Sequence, residues 1–369
     1  MHVLLVSHHA PPHVGGVEAL VELEARALVD AGHTLTWVTS NTPTNPLPAP
    51  IAPGINVIRV PAWHVMERRF GIAFPLFLTP TLSGVLWREV GKADVVHAHG
   101  YVFLTSKVAL VWAWLRDRPS LLTDHGGVLQ YSSWWGNFAM RFLSATIGRM
   151  NVRLATRAVA YNGRVLELLR KLAREPQRVL FLPNPVRSDL FQPATPEQRR
   201  EARAALGWDE RPKVLFVGRL IESKGIRRLL AARHDAFDLV FCGPAEADVV
   251  AEVRAAGVEY HPPRPQSELA PLYQAADLFA LPSWNEGFPV AIQEALCCGL
   301  PVLTCWEEGY APYRDLAGLE FCEPEPLALQ GAILTRLAAP RPAVTTRPIL
   351  FPDPREWLER LFGGLEAAG

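Results

Sequence analysis

Two α/β domains, each a parallel sheet with helices on both faces, are what this sequence predicts, and three observations carry the prediction. Short apolar runs of strand length alternate with segments of helical period along nearly the whole chain. The chain has 369 residues, too many for one ordinary core and enough for two of roughly 150 to 200 residues each. Hydrophobic residues make up 49% and charged residues 20%, ample material for buried sheets.

Residues 2–9 read as an apolar strand ending in Ser7-His8-His9. The following stretch carries Gly15 and Gly16 and opens a helix to about Ala31, with Val17, Leu20, Val21, Ala27, Leu28 and Ala31 as its apolar stripe. Paired glycines at such a junction let a ligand approach the backbone where helix N–H groups are unpaired, although a turn needing positive φ explains them equally well. The pattern is not G-x-G-x-x-G, which disfavours a nicotinamide cofactor.

Strands follow at Leu35–Thr39 and Ile55–Val60. The segment from Trp63 to Phe74 mixes aromatic and basic residues and reads first as a loop, second as a patch for an anionic membrane surface. Ala93–Gly100 and Ser120–Gly126 are further strands. His9, His99 and His125 then converge on the carboxyl edge of one sheet, where ligands of such folds bind. Three histidines raise the question of a metal, and none is expected, because Cys and carboxylate partners are not arranged around them. The stretch 131–150, with Trp134 and Trp135, reads as a mostly apolar helix explained better by core packing than by an acceptor groove or lipid contact.

The strand Val179–Leu182 completes the first sheet, and the boundary falls near Pro185: one domain over residues 1–185, a second over 186–350 and a terminal helical segment over 351–369. In the second domain, Thr195 caps a helix to Leu206 and Ser267 caps another to Ala276. Strands fall at Lys213–Leu220, Asp238–Cys242, 258–261, Asp277–Leu281 and Pro301–Cys305.

Two stretches carry chemistry. In Pro282-Ser283-Trp284-Asn285-Glu286-Gly287-Phe288-Pro289, a strand turns into a helix at Pro289, whose fixed φ suits a first helical position. Glu286 then lies in the loop and Glu294 about two turns into the helix, which Gly299 ends. Helix N–H groups and two carboxylates suit a ligand bearing both phosphates and hydroxyls, such as a phosphorylated sugar. The plainer reading makes Glu286 a first-turn acid and Glu294 a solvated side chain. In Val217-Gly218-Arg219-Leu220-Ile221-Glu222-Ser223-Lys224-Gly225, a strand delivers two cations into a loop that opens another helix. The chain holds few lysines, so Lys224 is unusual here.

Together these stretches resemble the signature of the retaining glycosyltransferases of family 4, which have the GT-B fold: two Rossmann-like, doubly wound domains facing across a cleft. The resemblance implies a nucleotide diphosphate sugar of the UDP or GDP type as co-substrate, no cofactor and no metal. Arg219 and Lys224 match the G-R-x(4)-K-G element that holds the diphosphate, and Glu286 and Glu294 match the E-x(7)-E element that holds sugar and ribose. Gly15 and Gly16 match glycines beside the donor phosphate, and His125 matches a histidine near the reacting sugar carbon. Gly218, Gly287, Phe288 and Pro289 belong to the same donor-binding elements. Carbohydrate or lipid-linked acceptors, in polysaccharide, glycolipid or glycoconjugate synthesis, fit the family. Its final helix crosses back to the first domain, for which Trp357, Leu358, Leu361 and Phe362 offer a face. Pro185 and Glu308 stand where the family commonly has glycine, and the helix after Lys224 is short. A nucleotide-sugar epimerase and an inactive binding subunit on the same fold remain alternatives.

Zero net charge argues against a general polyanion binder, so nucleic acid is not an expected partner. No charged leader precedes the first strand and the five cysteines lack metal-type spacing, from which a cytoplasmic protein with reduced core thiols is expected. Contact with a membrane surface would be peripheral, since no apolar run reaches spanning length.

Overall fold

The structure, a computed structural model, describes residues 1–13, 16–41, 51–65, 75–77, 79–125, 134–284, 286–340, 348, 350–363 and 365. The chain divides into two compact units, Met1–Asn184 with Pro354–Gly369, and Pro185–Asp353.

The first unit is built on seven strands: β1 (His2–Val6), β2 (Thr34–Ser40), β3 (Ile55–Val60), β6 (Val95–His99), β7 (Ser120–Asp124), β8 (Arg157–Ala160) and β9 (Val179–Phe181), with β4 (Ala62–Trp63) and β5 (Leu76–Phe77) forming a separate antiparallel pair. Their order is β3-β2-β1-β6-β7-β8-β9, all parallel. Side chains alternate across the sheet, so Leu4 and Val6 join the core on one face while Val3 and Leu5 join that on the other. Helices Thr79–Lys92 and Leu104–Leu115 cover the first face. The second is covered by Gly16–Asp30 and by the terminal helix Pro354–Phe362, whose Trp357, Leu358, Leu361 and Phe362 pack with Val3, Leu5, Val21 and Leu28. Arg157 Nη1 also donates to the Gly363 carbonyl at 2.8 Å.

The second unit has six parallel strands, β10 (Lys213–Val217), β11 (Asp238–Cys242), β12 (Glu259–His261), β13 (Leu278–Leu281), β14 (Val302–Cys305) and β15 (Leu319–Cys322), ordered β12-β11-β10-β13-β14-β15. In each sheet the order reverses direction once, between β1 and β6 and between β10 and β13, and loops at the carboxyl ends diverge there.

Thr195 caps its helix with a full capping box, its hydroxyl accepting from Gln198 N–H while the Gln198 side chain accepts from Thr195 N–H. Two other expected helix starts are corrected. Ser267 lies inside the helix Gln266–Ala275, which Pro265 caps through its carbonyl. Pro289 has the φ of a helical residue, −58°, but an extended ψ of 137°, so it caps the helix Val290–Cys297 instead of opening it.

A third correction concerns Trp134. The helix Trp134–Leu143 runs through a wider turn, Ser144–Gly148, into Arg149–Leu154. Its inner side carries Met140 and Val152 into the core together with small and polar groups, Ser144, Gly148 and Asn151, the last donating to the Tyr101 carbonyl. Gly148 allows the Tyr101 ring so close that a Cβ would sit 2.7 Å from it. The large aromatics therefore fall outside, with Trp134, Phe138 and Phe142 exposed at 64%, 59% and 60%. None of the five cysteines is bridged, and four of them are buried. Among the described residues no helix is long and apolar enough to cross a membrane.

The terminal helix is thus part of the first core. Truncating Leu361 to Ala should lower unfolding free energy by about 2 to 5 kcal/mol, read from denaturant unfolding curves.

Candidate functional site

At the carboxyl edge of the second sheet, two loops from distant parts of the sequence are stitched together. After β10, Gly218 N–H donates to the Cys242 carbonyl at 3.0 Å. The turn Glu222–Lys224 then ends at Gly225, whose φ of 77° is cheap only for glycine. A Cβ on Gly225 would stand 2.3 Å from the Pro282 carbonyl oxygen, so the two backbones are in direct contact. Trp284 N–H donates to the Ser223 carbonyl at 3.0 Å. Arg228 donates to the Pro282 carbonyl at 3.2 Å and lies over the Trp284 ring, 4.3 Å from its centroid.

This stitching brings Lys224 Nζ to 2.6 Å from Glu286 Oε1, with both side chains largely shielded. Arg219 is exposed, and its guanidinium has no partner among the described residues. Next to Glu286, the N–H groups of Gly287, Phe288, Val290 and Ala291 are without an acceptor among the described residues, as expected at a helix start. The Phe288 ring is not available to a ligand: it is buried, stacked on Tyr313 at 3.6 Å and edge-on to Tyr310 at 5.2 Å.

Glu294 is buried, not solvated. The Tyr273 hydroxyl donates to its Oε2 at 2.9 Å and the Gln266 amide to its Oε1 at 3.2 Å. Burial pushes the carboxyl up to about 7 despite those two hydrogen bonds, which favour its ionised form. The Tyr273 phenol is itself pushed well up by burial and by Glu294, so it stays a donor.

The first sheet's carboxyl edge gathers more than the three expected histidines. His97 Nδ1 lies 2.5 Å from Glu24 Oε1, and its Nε2 lies 2.8 Å from the Thr123 hydroxyl. His99 Nε2 is 3.3 Å from Glu24 Oε2, and His99 Nδ1 is 3.0 Å from His125 Nε2. His8 stacks on Phe103 at 3.8 Å, and His9 stacks on His13, which pairs with Glu18. Gly16 opens the helix that carries Glu18 and Glu24, while Gly15 lies outside the described residues. Burial, opposed and outweighed by His97 and His99, leaves the Glu24 carboxyl at about 2. Burial first, and neighbouring histidines second, push His99 down to about 4 and His125 well below its usual value.

The expectation that no carboxylate is arranged around these histidines is therefore wrong. Glu24 supplies one, from a buried position in the helix Gly16–Asp30 that the apolar pattern hides. An acid in step with Val17, Val21 and Leu28 was the signal available. Glu24, His97 and His99 offer one ligand-type atom each within 4.8 Å of one another, the donor types a metal ion takes; here those atoms face one another at hydrogen-bonding distances.

Known proteins resemble this chain in sequence and in fold. Two family profiles match, Glycosyltransferase Family 4 over residues 14–190 and Glycosyl transferases group 1 over residues 198–313. The chain is similar to the D-inositol 3-phosphate glycosyltransferase of Thermobispora bispora, 30% identical over 342 residues that span 81% of this chain and 77% of that protein. The same enzyme of Xylanimonas cellulosilytica is 28% identical over 390 residues, spanning 94% and 92%. Among solved structures, WaaG, a glycosyltransferase involved in lipopolysaccharide biosynthesis, superposes with a TM-score of 0.72 at 19% identity, covering 98% of this chain and 100% of that one. Sucrose-phosphate synthase from Thermosynechococcus elongatus gives 0.67 at 23%, covering 100% and 96%, and HepE of Anabaena in complex with UDP gives 0.68 at 18%, covering 100% and 97%. These structural likenesses bear on the fold, and they agree with the expected GT-B class.

Glu294 generates a test of its burial. Its folded value lies above the unfolded one, so it stabilises the fold fully below about pH 4.5, and that stabilisation is lost as pH rises through 7. The loss should be about 3 kcal/mol, at about 1.4 kcal/mol per pH unit. Urea unfolding from pH 4.5 to 7.5 should show this decline in the native protein and a flatter profile in Glu294→Gln.

Proposed function

Because the chain belongs to glycosyltransferase family 4, we propose that its second unit binds a nucleotide diphosphate sugar, and that transfer to an acceptor hydroxyl retains configuration without a metal. Glycosyl transfer itself is the activity of the family. The observation that carries the finer reading is the Lys224–Glu286 pair beside unpaired N–H groups at a helix start.

Breaking the donor bond develops negative charge on the diphosphate and positive charge on the sugar, so fixed cations beside the phosphates stabilise the transition state more than the ground state. Arg219, exposed and without a partner among the described residues, meets the diphosphate with a planar fork. Lys224 meets it as a point charge, exchanging Glu286 for phosphate oxygens and leaving the carboxylate to orient sugar hydroxyls. Glu294 holds the ribose: each of its oxygens accepts one hydrogen bond, and an ionised carboxylate has room for more. Gly287 and Phe288 contribute N–H groups. Gly218 and Pro289 shape the backbone around them, while Gly15 and Gly16 serve the donor phosphate and His125 the reacting sugar.

The complexes of HepE with UDP and UDP-glucose support a UDP-type donor. The relatives that act on D-inositol 3-phosphate support a hydroxyl-rich acceptor, and the likeness to WaaG, a glycosyltransferase involved in lipopolysaccharide biosynthesis, supports work on cell-envelope carbohydrate. A peripheral contact with an anionic membrane is favoured by one surface, the exposed Trp134, Phe138, Phe142 and Met150 flanked by Arg141, Arg149 and Arg153.

Replacing Arg219, Lys224 or Glu286 with Ala should cut kcat by about a hundredfold or more while the melting temperature holds, measured by release of nucleotide diphosphate. Near-native rates in folded variants would remove the role. UDP-sugar at about 100 times its dissociation constant should stabilise the protein by roughly 2.7 kcal/mol in a thermal-shift assay. Product analysis without acceptor separates transfer from epimerisation, which alone converts the donor under those conditions.

A further inference from the structure

We infer that Glu24, acting through His99, fixes which nitrogen of His125 carries the proton, leaving His125 Nδ1 as a hydrogen-bond acceptor. Glu24 and His99 are in this sense positioning residues for His125. The inference rests on the reading that His125 contacts the reacting sugar.

The argument starts from hydrogen counting. An ionised carboxylate accepts and never donates, so each nitrogen facing Glu24 must bring a hydrogen. Those nitrogens are His97 Nδ1, hydrogen-bonded at 2.5 Å, and His99 Nε2, in contact at 3.3 Å; Glu24 Oε2 and His99 Nε2 complete no hydrogen bond to any group among the described residues, so this contact is the pairing open to both. A neutral imidazole carries one N–H. With that hydrogen on Nε2, His99 Nδ1 holds a lone pair, and the 3.0 Å contact to His125 is filled by a hydrogen on His125 Nε2. His125 Nδ1 is then bare. It is buried and has no partner among the described residues.

On the other side of Glu24 the same logic makes His97 Nε2 an acceptor for the Thr123 hydroxyl at 2.8 Å. Thr123 thus closes the chain with a group that can donate, and no atom in the series Thr123, His97, Glu24, His99, His125 is asked to play two roles. The groups are inaccessible to water: Glu24, His97 and His99 are at most 1% exposed. Burial and mutual repulsion keep His99 and His125 neutral, the condition under which a tautomer has meaning. Among the described residues His8 and Tyr161 also lie around His125; the Tyr161 hydroxyl donates to the His125 carbonyl and leaves the ring tautomer alone.

The consequence for the proposed reaction is a direction. A bare Nδ1 accepts a hydrogen bond from a sugar hydroxyl and orients it, and it cannot serve as a general acid toward the leaving group.

Histidine-selective 15N labelling with long-range proton–nitrogen correlation spectra reads the tautomers directly. Expected in the native protein is a proton on Nε2 of both His99 and His125. Glu24→Gln places an amide that can donate opposite His99 Nε2, and the proton of His125 should move to Nδ1, with kcat falling about tenfold or more and KM for the donor unchanged. A proton on His125 Nδ1 in the native protein overturns the inference, as does an unchanged His125 tautomer in Glu24→Gln. If Glu24→Gln does not fold, the native spectrum alone decides. Absence of sugar transfer by the native protein would sink the functional reading and leave the tautomer result standing.

Discussion

The contact between the Gly225 backbone and the Pro282 carbonyl is the constraint on which the second unit's site depends. No side chain fits between them, since even a Cβ would approach to 2.3 Å, and the positive φ at Gly225 turns the chain sharply into the next helix. Once these backbones touch, Ser223 and Trp284 are in register to hydrogen-bond, Arg228 reaches Pro282 and Trp284, and Lys224 has little choice but to meet Glu286. A loop pair held by backbone contacts keeps a charged pair in place without relying on the pair's own weak attraction at a partly wet edge.

The two sheet edges solve different electrostatic problems. In the second unit the charges are near the surface, where a phosphate can reach them, and the helix start adds unpaired N–H groups. In the first unit a carboxylate is sunk to full burial among imidazoles, with His97 hydrogen-bonded to it. Such a buried acid costs free energy unless it is satisfied; His97 hydrogen-bonds one of its oxygens, and His99 stands 3.3 Å from the other. Glu294 is intermediate: buried as deeply, but supplied only with neutral donors, so its carboxyl rises where that of Glu24 falls.

Some of the site was legible residue by residue. Lys224 and Glu286 stand at loop positions just beyond strands, and spacing alone put them there. Phe288 was legible as part of the same element but not as a core aromatic, because its stacking partners Tyr310 and Tyr313 come from a later loop. Trp134, Phe138 and Phe142 looked like core because they are large and apolar, yet Gly148 and Asn151 fill the space beneath their helix against Tyr101. Glu24 was passed over for the opposite reason: it keeps step with Val17, Val21 and Leu28, but an acid on a helix is usually solvated, and only the neighbouring strands show what it faces.

Local order along the chain determined the alternation of strand and helix, the placing of the charged loops at strand ends and the capping box at Thr195, because these follow from periodicity and from bonds spanning a few residues. Tertiary structure alone decided that Lys224 pairs with Glu286, that Glu294 is dry and that Glu24 anchors the histidines. Each of those depends on segments tens of residues apart arriving at one place, and burial, which sets the charge state of an acid, is a property of that arrival and not of the residue.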